Sequence, residues 1–150
     1  MKNLPIILID TREQQPFQFR GCKVLRRGLK AGDYSLQGHQ ALVVIERKSL
    51  ADLFGTLARA HNFSRFQKEL EKLKKVKYAF ILVEATPEKI MDGFQYSLAN
   101  GGLVLDKVMR LYCQYGVQIV FGGSRWGAER VALSILRAVW HLKCTEVQKI

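Results

Sequence analysis

Apolar and polar positions along this chain change period several times, and the changes mark out its elements. Ala41-Leu42-Val43-Val44-Ile45 is a continuous, largely β-branched apolar run, the pattern of a strand covered on both faces. Tyr34-Ser35-Leu36-Gln37 reads as a shorter strand before it, and Gly38, His39 and Gln40 supply a turn, so the pair reads as a hairpin. With the turn over 38–41, pairing sets Asp33 opposite Glu46, the carboxylates about 5 Å apart before the side chains adjust. A one-residue slip would undo this. Pro5 to Asp10 and Tyr78 to Val83 read as further buried strands, with another near Cys22 to Arg26 and a last one over Val117 to Phe121, broken by Gly122-Gly123.

Between the strands the period becomes helical. Ser49 is placed to cap a helix through Ala51, Leu53, Phe54 and Leu57. Asn62 is expected to cap the next, with Phe63, Phe66, Leu70 and Leu73 on one face and Arg65, Lys68, Glu69 and Lys72 on the others. Pro87 opens a short helical turn, and 93–102 reads as a loop. Val104, Val108, Leu111 and Tyr115 mark another helix. Ala128, Val131, Ala132, Ile135, Leu136, Val139 and Trp140 make a broad stripe on the last one. That stripe is read as packing onto the sheet; the alternative is a homodimer face around Trp140. There is no repeat, linker or low-complexity tract, and residues 1–150 are expected to form a single α/β domain.

One placement asks for a chemical reason: the apolar strand runs straight into Glu46-Arg47-Lys48. Side chains two apart on a strand share a face, so Glu46 and Lys48 point together and Arg47 points the other way. An ordinary ion pair is the bland reading. The alternative uses Asp33: two carboxylates and a lysine at a sheet edge suit a hard divalent cation such as Mg²⁺, which takes one or two carboxylates and fills its shell with water and substrate phosphate oxygens.

Charge sharpens the choice. The chain has 24 Lys and Arg against 13 Asp and Glu, a net +11. Lys23, Arg26, Arg27 and Lys30 form one cluster, and Lys68, Lys72, Lys74, Lys75 and Lys77 another. Such a surplus attracts polyanions and predicts binding that weakens with salt. Nucleic acid is favoured over a merely solvated basic surface, and over acidic membranes. Phe17, Phe19 and Tyr34 could stack on bases but are read as core, and His61 as a helix-boundary residue. Cys22, Cys113 and Cys144 are odd in number and far apart, which suggests neither a disulfide framework nor a zinc cluster. Met1-Lys2-Asn3 leads towards a short strand rather than a signal segment, and no apolar run is long enough to cross a bilayer. The expected setting is intracellular, soluble and away from membranes: cytoplasm or nucleoid, or the nucleus in a eukaryote.

Several ordered motifs carry a resemblance. Gly32-Asp33, Glu46-Arg47-Lys48 and Asp52 together resemble the G-D…E-R-K-x-x-x-D signature of the XPF family of structure-selective DNA endonucleases, a branch of the PD-(D/E)xK nucleases. Ile9-Asp10-Thr11-Arg12-Glu13 resembles its V-D-x-R-E, and Leu29 to Tyr34 its L-x-x-G-D-Y. Ser49 to Leu53 resembles its S-x-x-D-L, Arg65-Phe66 its R-[LF], and Ile81 to Glu84 its L-L-I-E strand.

The resemblance implies a restriction-endonuclease-like mixed central β-sheet flanked by helices. It implies metal-dependent hydrolysis of DNA phosphodiesters, at branched or junction structures. Asp33 and Glu46, helped by Asp10, would hold Mg²⁺ or Mn²⁺ with the Arg47 carbonyl, while Lys48 orients a water or offsets charge. Arg12, Arg47 and Arg65 would hold phosphates or neighbouring carboxylates, with Glu13 and Asp52 supporting them. Arg65, Lys68, Lys72, Arg26, Arg27 and Lys30 are the expected DNA contacts. Family members often carry a helicase region and a tandem helix-hairpin-helix module, for which 150 residues leave no room; targeting would then need a separate partner or a homodimer through the last helix. Gln67 and Glu69 straddle the place where the family has a glutamine after R-[LF]. Two other readings stay open: a nuclease-fold DNA-binding module without catalysis, and a four-way-junction resolvase or restriction-like nuclease of the same superfamily.

Overall fold

The computed structural model describes residues 4–147, so the lead-in expected at Met1-Lys2-Asn3 lies outside the described residues. The chain runs β1 (Ile6–Ile9), β2 (Lys23–Arg26), β3 (Tyr34–Leu36), β4 (Val43–Lys48), α1 (Leu50–Ala58), α2 (Ala60–Leu73), β5 (Tyr78–Val83), α3 (Pro87–Met91), α4 (Gly101–Tyr115), β6 (Gln118–Phe121) and α5 (Arg125–Val147). The strands form one mixed sheet in the order β2-β1-β3-β4-β5-β6. Only the pairs β1·β3 and β3·β4 are antiparallel.

The register of the hairpin agrees with the pattern of the sequence: Tyr34 faces Ile45 and Ser35 faces Val44, which one step further sets Asp33 beside Glu46. The strand boundary differs. β4 starts at Val43 rather than Ala41, because His39 O accepts the N–H groups of both Leu42 and Val43 and keeps 40–42 in the turn. It also continues through the charges to Lys48, pairing residue for residue with β5.

Alternation along β4 divides the core. On one face Val44 joins Leu53, Phe54 and Leu57 of α1, Phe66, Leu70 and Leu73 of α2, Ile90 of α3 and Val104, Val108 and Leu111 of α4. On the other, Val43 and Ile45 pack with Tyr34, Phe17 and Phe19 and with Ala128, Ala132, Leu136 and Val139 of α5. The three aromatics are core, Phe17 stacked on Tyr34 with ring centres 5.0 Å apart. The α5 stripe packs on the sheet, and Trp140 at its end is half-buried, its ring centre 5.7 Å from that of His39.

Ser49 caps α1 as expected, its hydroxyl accepting the Asp52 N–H at 3.1 Å. The cap expected at Asn62 is not there. α2 begins three residues earlier, after Arg59, which makes no side-chain capping bond, and the Asn62 amide donates instead to Gly55 O at 2.9 Å, tying α2 to α1. The loop expected over 93–102 also ends early: Asn100 caps α4 by accepting the Leu103 N–H at 3.2 Å, and Gly101-Gly102 lie inside the helix. A Cβ on Gly101 would lie 2.1 Å from Ile90 O, so only glycine lets α4 start against α3.

Candidate nuclease site

The directions of β1, β3, β4 and β5 bring Asp10, Asp33, Glu46, Lys48 and Glu84 to one end of the sheet. Asp33 follows Gly32, whose φ is +73° and whose added Cβ would lie 2.2 Å from Val44 Cγ1. Glycine is required there on both counts, and the turn it makes brings Asp33 into β3. The Asp33 N–H donates to Ile45 O at 2.8 Å, and the Arg47 N–H donates to Asp33 Oδ2 at 2.7 Å. Both ends of the residue are thus fixed to the strand that carries Glu46.

Glu46 and Lys48 share the face of α1 and α2, as alternation requires, and their side chains are 15% and 13% exposed. They do not form a tight pair: Nζ to Oε1 is 3.8 Å, beyond hydrogen-bond reach. The ammonium lies 3.4 Å from Thr56 Oγ1 and 4.5 Å from the centre of the Phe66 ring. Together with Asn62, Arg65 and Glu69 these residues line a cavity of about 280 Å³. Burial pushes Glu46 up to about 8, and the nearby Asp33 pushes it further than Lys48 brings it back. Burial likewise pushes Asp33 up to about 7, against the Arg47 N–H that holds it down. Each carboxyl is thus held above its ordinary value by burial and by other acids near it, with Lys48 working in the opposite direction.

Arg47 points to the opposite face, where its side chain is 8% exposed. Its Nε and one terminal nitrogen donate to both Glu13 oxygens at 2.9 and 2.8 Å, and the other terminal nitrogen donates to Glu84 Oε1 at 3.2 Å. Hydrogen bonding to Glu13 raises the Arg47 guanidinium above its ordinary range. Burial would raise the Glu13 carboxyl, but bonds from Arg47, the Gln15 N–H and Tyr34 outweigh it and the net shift is downward. Arg125 donates to Glu84 Oε1 at 3.1 Å and to Gln15 O at 2.6 Å, closing the network onto the start of α5. Arg47 therefore holds carboxylates and leaves phosphates to other residues.

Asp10 is tied to its neighbours. Its Oδ1 accepts the Arg12 N–H and Nε, both at 2.9 Å, and its Oδ2 accepts the Leu29 N–H at 2.6 Å and Arg12 Nη2 at 3.3 Å. Burial works to raise its carboxyl, but these bonds together bring it below its ordinary value. With both oxygens engaged in hydrogen bonds, Asp10 braces the 28–29 loop. Asp52 lies exposed in the first turn of α1 and makes no ion pair among the described residues. Among the described residues no group of three or more His, Cys, Asp or Glu is gathered to hold a metal ion. The side chains that could hold one are the pair Asp33 and Glu46, a share that suits Mg²⁺ or Mn²⁺ completed by water and phosphate oxygens.

Arg65 is exposed at the rim of the cavity, and Lys68 is exposed farther round α2. Lys30 and Lys72 line a different concavity. Arg26 donates to the carbonyls of Thr11 and Glu13, and Arg27 is exposed beside it. His61 is exposed in the first turn of α2. Asn62, Phe66 and Glu69, read from the sequence only as a cap and motif positions, belong to the cavity wall with Thr56, and Glu84 belongs to the network behind it with Arg125; Thr56 and Arg125 had not stood out in the sequence. Phe66 and Glu69 are three apart on α2, a spacing that could have put them together once one of them was placed.

Comparison with known proteins bears on the fold and the family. Two solved structures are similar to the chain: XPF from Aeropyrum pernix, at TM-score 0.70 and 21% identity over 89% of this chain and 61% of that one; and XPF from Aeropyrum pernix in complex with DNA, at TM-score 0.69 and 23% identity over 89% and 64%. The chain thus spans less than two thirds of the length of either. Comparison with the curated proteins finds no match. The ERCC4 domain profile matches residues 9–125. The chain belongs to the ERCC4 domain family, a family of nucleases.

Proposed function

We propose that the chain is a metal-dependent DNA endonuclease that hydrolyses phosphodiester bonds at branched or junction DNA. The observation that carries the reading is the antiparallel pairing of β3 and β4, which sets Asp33 beside Glu46 on the face that also bears Lys48. Supporting it are the family membership, the DNA complex of the similar XPF structure, and the excess of lysine and arginine.

Asp33 and Glu46 would hold Mg²⁺ or Mn²⁺, which when bound supplies Lewis-acid stabilisation of phosphoryl oxygens and a more acidic water. The remaining work belongs to the side chains. The Arg47 N–H keeps Asp33 oriented, so the carboxylate is aligned before substrate arrives. Lys48, packed over Phe66 and beside Thr56, directs a fixed positive charge at the water that attacks phosphorus and at the oxygens that gain charge as it does. Arg65 at the rim meets a neighbouring phosphate of the same strand. Hydrolysis joins the water oxygen to phosphorus, breaks one P–O bond and delivers a proton to the departing oxygen.

The test is cleavage of flap, fork, four-way-junction, nicked and plain duplex oligonucleotides at one salt concentration, with Mg²⁺, Mn²⁺ or chelator. Branched substrates should be cut fastest, chelator should stop cutting, and Glu46→Gln and Asp33→Ala should be inactive while still binding DNA. Lys48→Ala should retain metal and DNA binding and lose turnover. Unchanged cutting by either carboxylate variant would remove the site assignment, and equal rates on every substrate would remove junction preference. DNA binding with no cutting under any metal would leave a binding module.

A further inference from the structure

A second concavity of about 900 Å³ lies one turn farther along α2 from the candidate site: Glu69 lines the first and Lys72 the second. Its rim carries Lys30, Lys72 and Lys75, and its walls include the apolar side chains of Leu29, Ala41 and Val76. None of its lining residues is acidic. Lys72 is paired with Glu69 at 3.1 Å on the border between the two cavities. Lys30 and Lys75 have no carboxylate partner among the described residues, although both are exposed. Arg12 joins the two places: it is anchored to Leu29 O at 3.0 Å, and its guanidinium feels the charges of Glu69 and Asp33.

We infer that this groove binds unpaired nucleotides of the DNA strand that continues from the reacting phosphodiester. The inference rests on the nuclease reading and extends it to the shape of the substrate. Three ammonium groups over an apolar floor match a single strand, whose phosphates follow the lysines while sugars and exposed base faces cover Leu29, Ala41 and Val76. A duplex offers phosphates and groove edges but keeps its base faces stacked, so the floor would remain uncovered. The run Arg65, Glu69, Lys72 and Lys75 follows one side of α2 and the turn after it, so a strand leaving the site meets the groove without crossing the helix.

Fluorescence anisotropy in chelator tests this with labelled oligothymidylate and a blunt duplex of equal length, so no cutting enters the readout. Lys30→Ala/Lys75→Ala removes two phosphate contacts and should make the salt dependence of oligothymidylate binding shallower by about 1.4 in log–log slope. The loss on the strand should be at least five times the loss on the duplex. Ala41→Glu, at an exposed turn, should weaken the strand about as strongly without removing a lysine. Thermal unfolding checks that both variants are folded. Equal losses on strand and duplex, no loss on either, or displacement of the strand by polyglutamate as readily as by unlabelled oligothymidylate would each overturn the groove. Wild-type protein that does not bind oligothymidylate would overturn the groove, while cutting of branched DNA by the same protein with metal would leave the proposed function standing.

Discussion

Replacing Arg47 by methionine keeps the volume of the side chain and removes its charge. Its partner Glu13 is left with a 4% exposed side chain, still accepting from the Gln15 N–H and the Tyr34 hydroxyl but facing no cation. Breaking a buried pair in this one-sided way costs about 3–5 kcal/mol, because a charge remains without a partner. For a chain of this size that lowers the melting temperature by about 6–20 °C. Glu13→Gln removes the charge from the other side and should cost about 2–3 kcal/mol. The double variant Arg47→Met/Glu13→Gln leaves neither charge stranded, so its cost should fall short of the sum of the singles by about 2 kcal/mol. Glu84→Gln gives the contrast: Arg47 keeps both bonds to Glu13, and the loss should stay near 1 kcal/mol. Urea unfolding followed by circular dichroism, with a common slope, measures all four. Additive single and double variants, or a loss below about 1 kcal/mol for Arg47→Met, would refute the network as the clamp on β4.

Metal-free stability should fall as pH rises from about 5 to about 8. Asp33 and Glu46, raised from 3.8 to about 7 and from 4.5 to about 8, bind more protons folded than unfolded in that window. Their contribution is whole below the unfolded values and is lost as pH climbs through the folded ones. Urea titrations in chelator should show this slope, Glu46→Gln should flatten it, and stability that rises over the same range would contradict it. Gly32→Ala should cost about 2–5 kcal/mol, combining left-handed backbone strain with overpacking against Val44, and wild-type stability in this variant would show that the turn before Asp33 can relax. Ser49→Ala should cost about 1 kcal/mol through the lost cap of α1, with a measured change near zero showing that water replaces the hydroxyl.

Much of the candidate site's edge could be read from local pattern, because the residues that make it are near one another in sequence. The apolar runs that became β4 and β5, and the short turn between β3 and β4, decide the register that brings Asp33 to Glu46. What escaped depends on partners far along the chain. The bond from the Leu29 N–H to Asp10, brought round by the 10–29 loop, is one that no local pattern shows. Asn62 has the right chemistry for a helix cap, but the nearby Gly55 carbonyl takes its amide and α2 starts without it. Arg47 points away from its neighbours as alternation demands, yet alternation says nothing of Glu84 or Arg125, which complete the network from later elements.

The reach of that network has a consequence for the order in which the chain is made. Arg125 bonds to Gln15 O, a partner 110 positions earlier, and the Phe19 N–H donates to Glu129 at the same separation. A growing chain emerges from its N-terminus first, so Asp33, Glu46 and Lys48 are all synthesised long before the residues that seat the back of their strand. Until α5 docks, β4 has its carboxylates but lacks the last part of its support. A nascent or proteolytically shortened chain would therefore carry the proposed catalytic residues in a loosened edge, and the proposed DNA cutting would await completion of the fold.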